Sequence, residues 1–337
     1  MKLTSIIYIG LVSVWGFFSA QQHSIDLAAS NPNPGSGVES SVFFGDPFIL
    51  LDDGTYYMYG THNSDTGIEV YQSDNLEEWE GPIGARDGFA LHENDVYGQG
   101  AFWAPEVYHI NDKYYMFFSV EEHMAIAVSD HPEGPFVQEE PSVLRGHKSI
   151  DHHLFIDEDG TKYLYFANFK EGLEIWGAVL EDDFSSIREE TLTRIISRSQ
   201  DWEKSPKEPV GIVNEGPFVV KKDGKYYMTY SANHYASPDY GIGLAFAEQP
   251  LGNWTKSGQN PVIQNPGGLV GTGHSSFFED KKGDLRIVYH AHFDTAEVHP
   301  RKVFINRAQF TPAEEGSRLT LAIETPGIEP KTEPTGD

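Results

Sequence analysis

The chain predicts an all-β fold, a five-bladed β-propeller with a pocket at one end of its central channel. Three observations point there. A block of turn, buried strand, hairpin and alternating aromatic strand occurs five times. Its clearest copy is Asn214-Glu215-Gly216-Pro217-Phe218-Val219-Val220, followed by Asp223-Gly224-Lys225-Tyr226-Tyr227-Met228-Thr229-Tyr230. The copies begin roughly 50 to 65 residues apart, the spacing of blades with four strands each. Finally, 13% of the residues are aromatic, with 33 Gly and 20 Pro, which suits many short strands joined by tight turns better than helical bundles. A length of 337 residues allows a large core, and all-β folds of this size often form one domain.

In chain order, residues 1–20 read as a secretory signal. Lys2 gives the positive start, residues 6–18 are an apolar run, and Ser19-Ala20 offers a small-residue cleavage site before Gln21. The run is too short to span a bilayer comfortably. Residues 21–40 are a polar lead-in, residues 41–324 form the propeller, and residues 325–337 read as a flexible tail that cannot bury a core. The chain contains no Cys, which rules out disulfides, thiol nucleophiles, thiolate metal sites and the lipid-modified Cys of a bacterial lipoprotein. Together these features predict a secreted or periplasmic protein without a membrane anchor, taken as a monomer. A formal net charge of -27 argues against nucleic acid and anionic membrane surfaces as partners.

The first repeat is Asp46-Pro47-Phe48-Ile49-Leu50, then Asp53-Gly54-Thr55-Tyr56-Tyr57-Met58-Tyr59. The second is Trp103-Ala104-Pro105-Glu106-Val107, then Asn111-Asp112-Lys113-Tyr114-Tyr115-Met116-Phe117. The third is Asp151-His152-His153-Leu154-Phe155, then Asp159-Gly160-Thr161-Lys162-Tyr163-Leu164-Tyr165. The fourth is the Glu215 block. The fifth is His274-Ser275-Ser276-Phe277-Phe278, then Lys282-Gly283-Asp284-Leu285-Arg286-Ile287-Val288-Tyr289. Alternating segments at 68–71, 125–128 and 243–247 supply third strands, and Trp79, Phe136 and Trp254 mark outer edges. Residues 184–196 form a short helix or an excursion within the third blade. The Tyr-Tyr pairs recur at one place in most hairpins, so they read as packing between blades. His152 and His153 read as hydrogen-bonding residues of the channel.

In a propeller the innermost strand of each blade starts at one end of the channel. Its first residue therefore points toward the axis. That places Asp46, Trp103 or Ala104, Asp151, Glu215 and His274 together, with three carboxyl groups converging from distant sequence. Glycoside hydrolysis needs two carboxyl groups, one protonated and one ionised. A third negative charge raises its neighbour's pKa and helps push the two apart. Trp103 is placed to stack on a sugar face at the wall. His62, Asn63 and Asn233 follow blade strands and are candidate lining residues. Loops 84–102, 168–176 and 198–212 are expected to shape the catalytic pocket.

Gly-Asp-Pro-Phe, Trp-Ala-Pro-Glu, Asp-His-His, Glu-Gly-Pro and Gly-His-Ser-Ser, in order over residues 42–310, resemble the family 43 glycoside hydrolases. The resemblance implies a five-bladed propeller that inverts the anomeric centre. It implies Asp46 as general base, Glu215 as general acid, and Asp151 as the residue that orients the acid and keeps its pKa high. Arg301 resembles an Arg that binds a sugar hydroxyl in exo-acting members. His274 resembles an axial His that binds near the substrate and helps hold a calcium ion through waters. That calcium would be structural, and no cofactor is required for the reaction. The implied substrate is an oligo- or polysaccharide bearing a terminal α-L-arabinofuranosyl or β-D-xylosyl residue, with galactose- or galactofuranose-containing glycans as an alternative. Gly45 stands where the family usually has Arg. Two other classes fit the sequence less well. A catalytically silent glycan-binding propeller would be expected to lack one of the three acids, and all three are present. A metal-dependent hydrolase would need a denser His and carboxylate cluster.

Overall fold

The computed structural model describes residues 38–312 and 319–324. The expected signal at 1–20, the lead-in up to residue 37 and the tail at 325–337 lie outside the described residues. The described part is all-β, and its strands form five antiparallel sheets, the five blades of a propeller ring.

In chain order, β1 is Val38–Glu39. The first blade holds β2 (Gly45–Asp52), β3 (Thr55–Thr61), β4 (Gly67–Ser73) and β5 (Phe89–His92). The second holds β6 (Phe102–Ile110), β7 (Lys113–Val120) and β8 (His123–Ser129). The third holds β9 (Ser149–Ile156), β10 (Lys162–Phe169), β11 (Leu173–Val179) and β12 (Thr193–Ile196). The fourth holds β13 (Asn214–Lys222), β14 (Lys225–Ala232), β15 (Gly241–Ala247) and β16 (Thr255–Lys256). The fifth holds β17 (Gly273–Glu279), β18 (Leu285–Ala291) and β19 (Lys302–Pro312), with β20 (Leu319–Glu324) on β19. β1 also pairs with β19, Val38 opposite Ile305, so the first described strand joins the last blade and closes the ring. The 184–196 segment is the excursion rather than a full helix. After one 3₁₀ turn at Glu189–Thr191 it becomes β12, the outer edge of its blade.

The turns follow from residue type. Asp53-Gly54, Asn111-Asp112 and Asp223-Gly224 all have positive φ, as two-residue hairpins of the right-handed twist require. The Tyr-Tyr pairs pack blade against blade, as expected. Tyr56 meets Phe278 edge-on at 6.1 Å, and Tyr226 meets Phe155 at 5.7 Å. The Tyr114 hydroxyl donates to Asp52 of the preceding blade at 2.6 Å. Rings from all five innermost strands fill the channel. Phe48 meets Tyr108 at a centroid separation of 5.8 Å and Phe218 at 6.5 Å, and Phe218 in turn meets His153 at 4.1 Å and Phe277 at 5.8 Å. Burying one such Phe contributes about 1.5–3 kcal/mol. His153 also pairs with Glu106 at 2.9 Å, in keeping with a channel hydrogen-bonding residue. His152 differs, because its ring lies against Phe117 and bonds the Ala125 carbonyl between blades two and three.

Candidate active site

Each innermost strand carries a register shift near its start, and at each shift one residue adopts a left-handed backbone. These residues are Asp46 (φ 51), Ala104 (φ 45), Asp151 (φ 56), Gly216 (φ 55) and His274 (φ 48). The kink re-aims the side chains at the mouth of the channel, a common use of β-bulges. It also settles the alignment of the repeats. Ala104, not Trp103, matches Asp46 and Asp151. Trp103 and Glu215 each sit one residue earlier, as do Gly45, Ile150 and Gly273.

Two of those preceding positions need glycine because another side chain occupies the space. A Cβ on Gly45 would lie 1.7 Å from Arg301 Cζ, and one on Gly273 would lie 1.9 Å from Tyr240 Cε1. The glycine where the family usually carries Arg thus makes room for the guanidinium of Arg301, which arrives from the fifth blade.

Asp46, Trp103, Asp151, Glu215, His274 and Arg301 all line one cavity of about 710 Å³. Its walls also include the 61–64 turn of blade one, Ile150, Tyr235 of blade four and His299-Pro300 of blade five. His62 and Asn63 are therefore in the wall. Asn233 is not. It is buried and holds its own loop, accepting from Ser205 N–H at 3.0 Å and donating to the Asp239 carbonyl at 2.8 Å. Nor do loops 84–102, 168–176 and 198–212 contribute lining residues. The walls are instead built by connections from second to third strands, whose ends face the channel mouth.

The three carboxyl groups have different surroundings. Burial opposes ionisation of Asp46, but the positive and donor groups around it prevail and hold its carboxyl well below the usual range. Arg301 forks onto it, Nη1 to Oδ1 at 3.0 Å and Nη2 to Oδ2 at 3.3 Å. Thr61 donates to Oδ2 at 2.7 Å, and His274 Nδ1 lies 3.2 Å from Oδ1. The Asp46 N–H donates to Nδ1 of buried His290 at 3.0 Å. Burial raises Glu215 to about 7, and the nearby Asp46 charge adds to this, while a 2.8 Å bond from the Tyr240 hydroxyl works against it. Burial also lifts Asp151 to about 7. His274 opposes this shift, and the Glu215 and Asp46 charges add to it. The Gly216 N–H donates to Asp151 Oδ2 at 3.2 Å. One cavity thus contains a firmly ionised carboxylate beside two carboxyl groups that retain protons near neutrality.

Thr61, Tyr240, His290, Tyr235 and His299 escaped the sequence reading. Thr61 and His290 left a signal, as each is a polar residue closing an otherwise apolar second strand. Tyr240, Tyr235 and His299 lie in loops without a repeat, where one sequence gives no register.

The donors present do not suit a calcium ion bound directly by protein. Calcium prefers six to eight oxygens, whereas His274 offers nitrogen and turns Nδ1 toward Asp46. Among the described residues, no group of three or more His, Asp or Glu converges on a metal position.

Two carboxyl groups of opposed protonation in one cavity are the arrangement that glycoside hydrolysis requires. The family model "Glycosyl hydrolases family 43" matches residues 40–314, and the chain belongs to that family. It is accordingly a glycoside hydrolase of the inverting type, with a carbohydrate substrate. A β-D-galactofuranosidase of Aspergillus niger is 28% identical over 338 residues, covering 93% of this chain and 92% of its own. A xylosidase/arabinosidase of Bacteroides ovatus is 27% identical over 288 residues, covering 71% and 83%. The crystal structure of an endo-1,4-β-xylanase from Bacteroides thetaiotaomicron is 40% identical with a TM-score of 0.77, covering 86% of this chain and 99% of its own.

Proposed function

We propose that the chain is an exo-acting glycosidase that removes a terminal pentose, α-L-arabinofuranosyl or β-D-xylosyl, from plant or algal glycans. The observation that carries this is the division of labour in the cavity. Asp46 is held ionised by Arg301, His274 and Thr61, while Glu215 is pushed up to about 7 beside it.

In the proposed reaction Asp46 takes a proton from water as its oxygen attacks the anomeric carbon. Glu215 gives its proton to the departing glycosidic oxygen as that bond breaks. The sugar leaves with inverted configuration, Asp46 is left protonated and Glu215 ionised, and solvent exchange restores both. Burial and the Asp46 charge, rather than Asp151, keep the Glu215 proton in place; Asp151 fixes the acid's position. A carboxylate held as acidic as Asp46 is a weak base. A sugar hydroxyl that draws Arg301 toward itself loosens this clamp and strengthens the base only when substrate is present. Trp103 and Tyr235 face the cavity as stacking surfaces. No cofactor takes part, and any calcium would sit behind His274 through waters. Export and monomeric action belong to the same proposal, resting on the N-terminal pattern and on a site built from one chain.

Cleavage of nitrophenyl α-L-arabinofuranoside, β-D-xyloside, β-D-galactoside and β-D-galactofuranoside tests the sugar. The proposal expects the greatest kcat/KM on one of the pentosides. A galactofuranoside preference would replace it with the second reading, which the extent of the match to the Aspergillus niger enzyme supports. Internal cuts in xylan or arabinan, without release of single sugars, would overturn exo action.

A further inference from the structure

The left-handed residue at each strand start has an N–H that needs an acceptor. In four blades the acceptor is a side chain closing the second strand of the preceding blade. Thr61 accepts from Ala104 at 2.9 Å, Ser119 from Asp151 at 3.0 Å, Ser231 from His274 at 2.7 Å, and His290 from Asp46 at 3.0 Å. These acceptors are equivalent in register. Within its own blade each pairs with the residue just before the left-handed one: Thr61 with Gly45, Ser119 with Trp103, Ser231 with Glu215, and His290 with Gly273.

Blade three departs from the rule. The residue paired with Ile150 is Ala167, fully buried and without an acceptor. The Gly216 N–H that such an acceptor would take donates to Asp151 Oδ2 instead, at 3.2 Å. Among the described residues this is the only hydrogen bond to the Asp151 carboxylate, and Gly216 directly follows Glu215. We infer that Ala167 is a positioning residue: because it has no hydroxyl, it leaves the Gly216 amide to Asp151 and so ties that carboxylate to the backbone beside Glu215. The effect on catalysis rests on the roles proposed above for Asp151 and Glu215. The hydrogen-bond assignment does not.

The test is Ala167→Ser. Buried Ser119 and Ser231 occupy the same register, so the fold accommodates a hydroxyl there. The serine should take the Gly216 amide as Ser119 and Ser231 take theirs, leaving Asp151 free to rotate. Loss of the one hydrogen bond that orients the Asp151 carboxyl should lower kcat by up to about tenfold with KM within about twofold. The Gly216 resonance in a spectrum of ¹⁵N-glycine-labelled protein should move. Ala167→Gly, which adds no acceptor, should keep kcat within about threefold of wild type. Wild-type kcat in Ala167→Ser, or equal losses in both variants, would overturn the positioning role. An unmoved Gly216 resonance would overturn the hydrogen-bond assignment even if no substrate were known. Should the serine variant not fold, Asp151→Ala supplies the second reading. Hydrogen exchange at Gly216 should quicken there while Ala104 stays protected, and unchanged exchange at Gly216 would equally sink the inference.

Discussion

Replacing Tyr240 by Phe isolates one contribution to the proposed acid. The Tyr240 hydroxyl donates to Glu215 Oε1 at 2.8 Å, and the ring stacks on His290 at 5.7 Å with 17° between planes. Phenylalanine keeps the ring and its packing and deletes only the donor. That donor favours the ionised form of Glu215, opposing the burial and the Asp46 charge that raise it to about 7. Its removal must therefore raise the pKa further. A hydrogen bond to a charged group is worth about 1.5–3 kcal/mol against about 0.5–1.5 for a neutral one. The difference is about 1–1.5 kcal/mol, or about one pH unit at 1.36 kcal/mol per unit. As the proposed acid Glu215 would act protonated, so the alkaline limb of kcat/KM should move up by about one unit. The acid limb, set by Asp46, should stay. The assay is a pH profile of kcat/KM on a nitrophenyl glycoside, with circular dichroism to show that the fold is kept. An alkaline limb that stays or moves down would refute the assignment of that limb to Glu215.

Three further perturbations follow from the same geometry. Arg301→Ala removes the fork that depresses Asp46, so the acid limb should move to higher pH, and kcat/KM should fall roughly 10- to 100-fold with the lost charged bonds; a pH–rate profile with an unmoved acid limb contradicts this. Lys256→Ala leaves fully buried Glu203 without its cation, and urea titration should show a loss of about 3–5 kcal/mol. Burial opposes Glu203 ionisation but Lys256 and backbone donors prevail, so its folded pKa lies below the unfolded one. Its contribution is present above the unfolded pKa and is lost as pH falls through the folded pKa, so the variant's deficit should shrink in acid. Dialysis against chelator should lower the rate less than about threefold, since the donor set near His274 suits no directly bound calcium; complete loss, restored by calcium, would place an ion in the mechanism.

What the sequence revealed depended on repetition. Asp46, Asp151 and His274 were legible because five copies of one block give a shared register, and convergence on an axis follows from ring closure. Glu215 was found by the same pattern although it stands one residue earlier than the others, a shift set by the left-handed Gly216 that no spacing argument resolves. Thr61, Ser119 and Ser231 were legible in principle as polar ends of aromatic strands. Their meaning appeared only when each was seen to bond the next blade. Asn233 looked like a wall residue because it follows a strand, yet its amide is consumed by Ser205 and Asp239. Tyr240, Tyr235 and His299 come from connections of unequal length, whose paths depend on local packing rather than on the repeat. Arg301 was legible only through a family likeness, and Gly45 gains its meaning from the guanidinium lying over it.

The proposed mechanism rests on Glu215 delivering the proton to the leaving oxygen. Its most direct test is Glu215→Gln assayed on two substrates of the same sugar, one with a dinitrophenyl leaving group and one with a sugar leaving group. A dinitrophenolate departs without protonation, so that substrate should retain a substantial share of wild-type kcat. The sugar aglycone needs the proton, and its cleavage should fall by about 10²–10⁴-fold. Equal losses on both substrates, or full activity on the sugar aglycone, would contradict the claim.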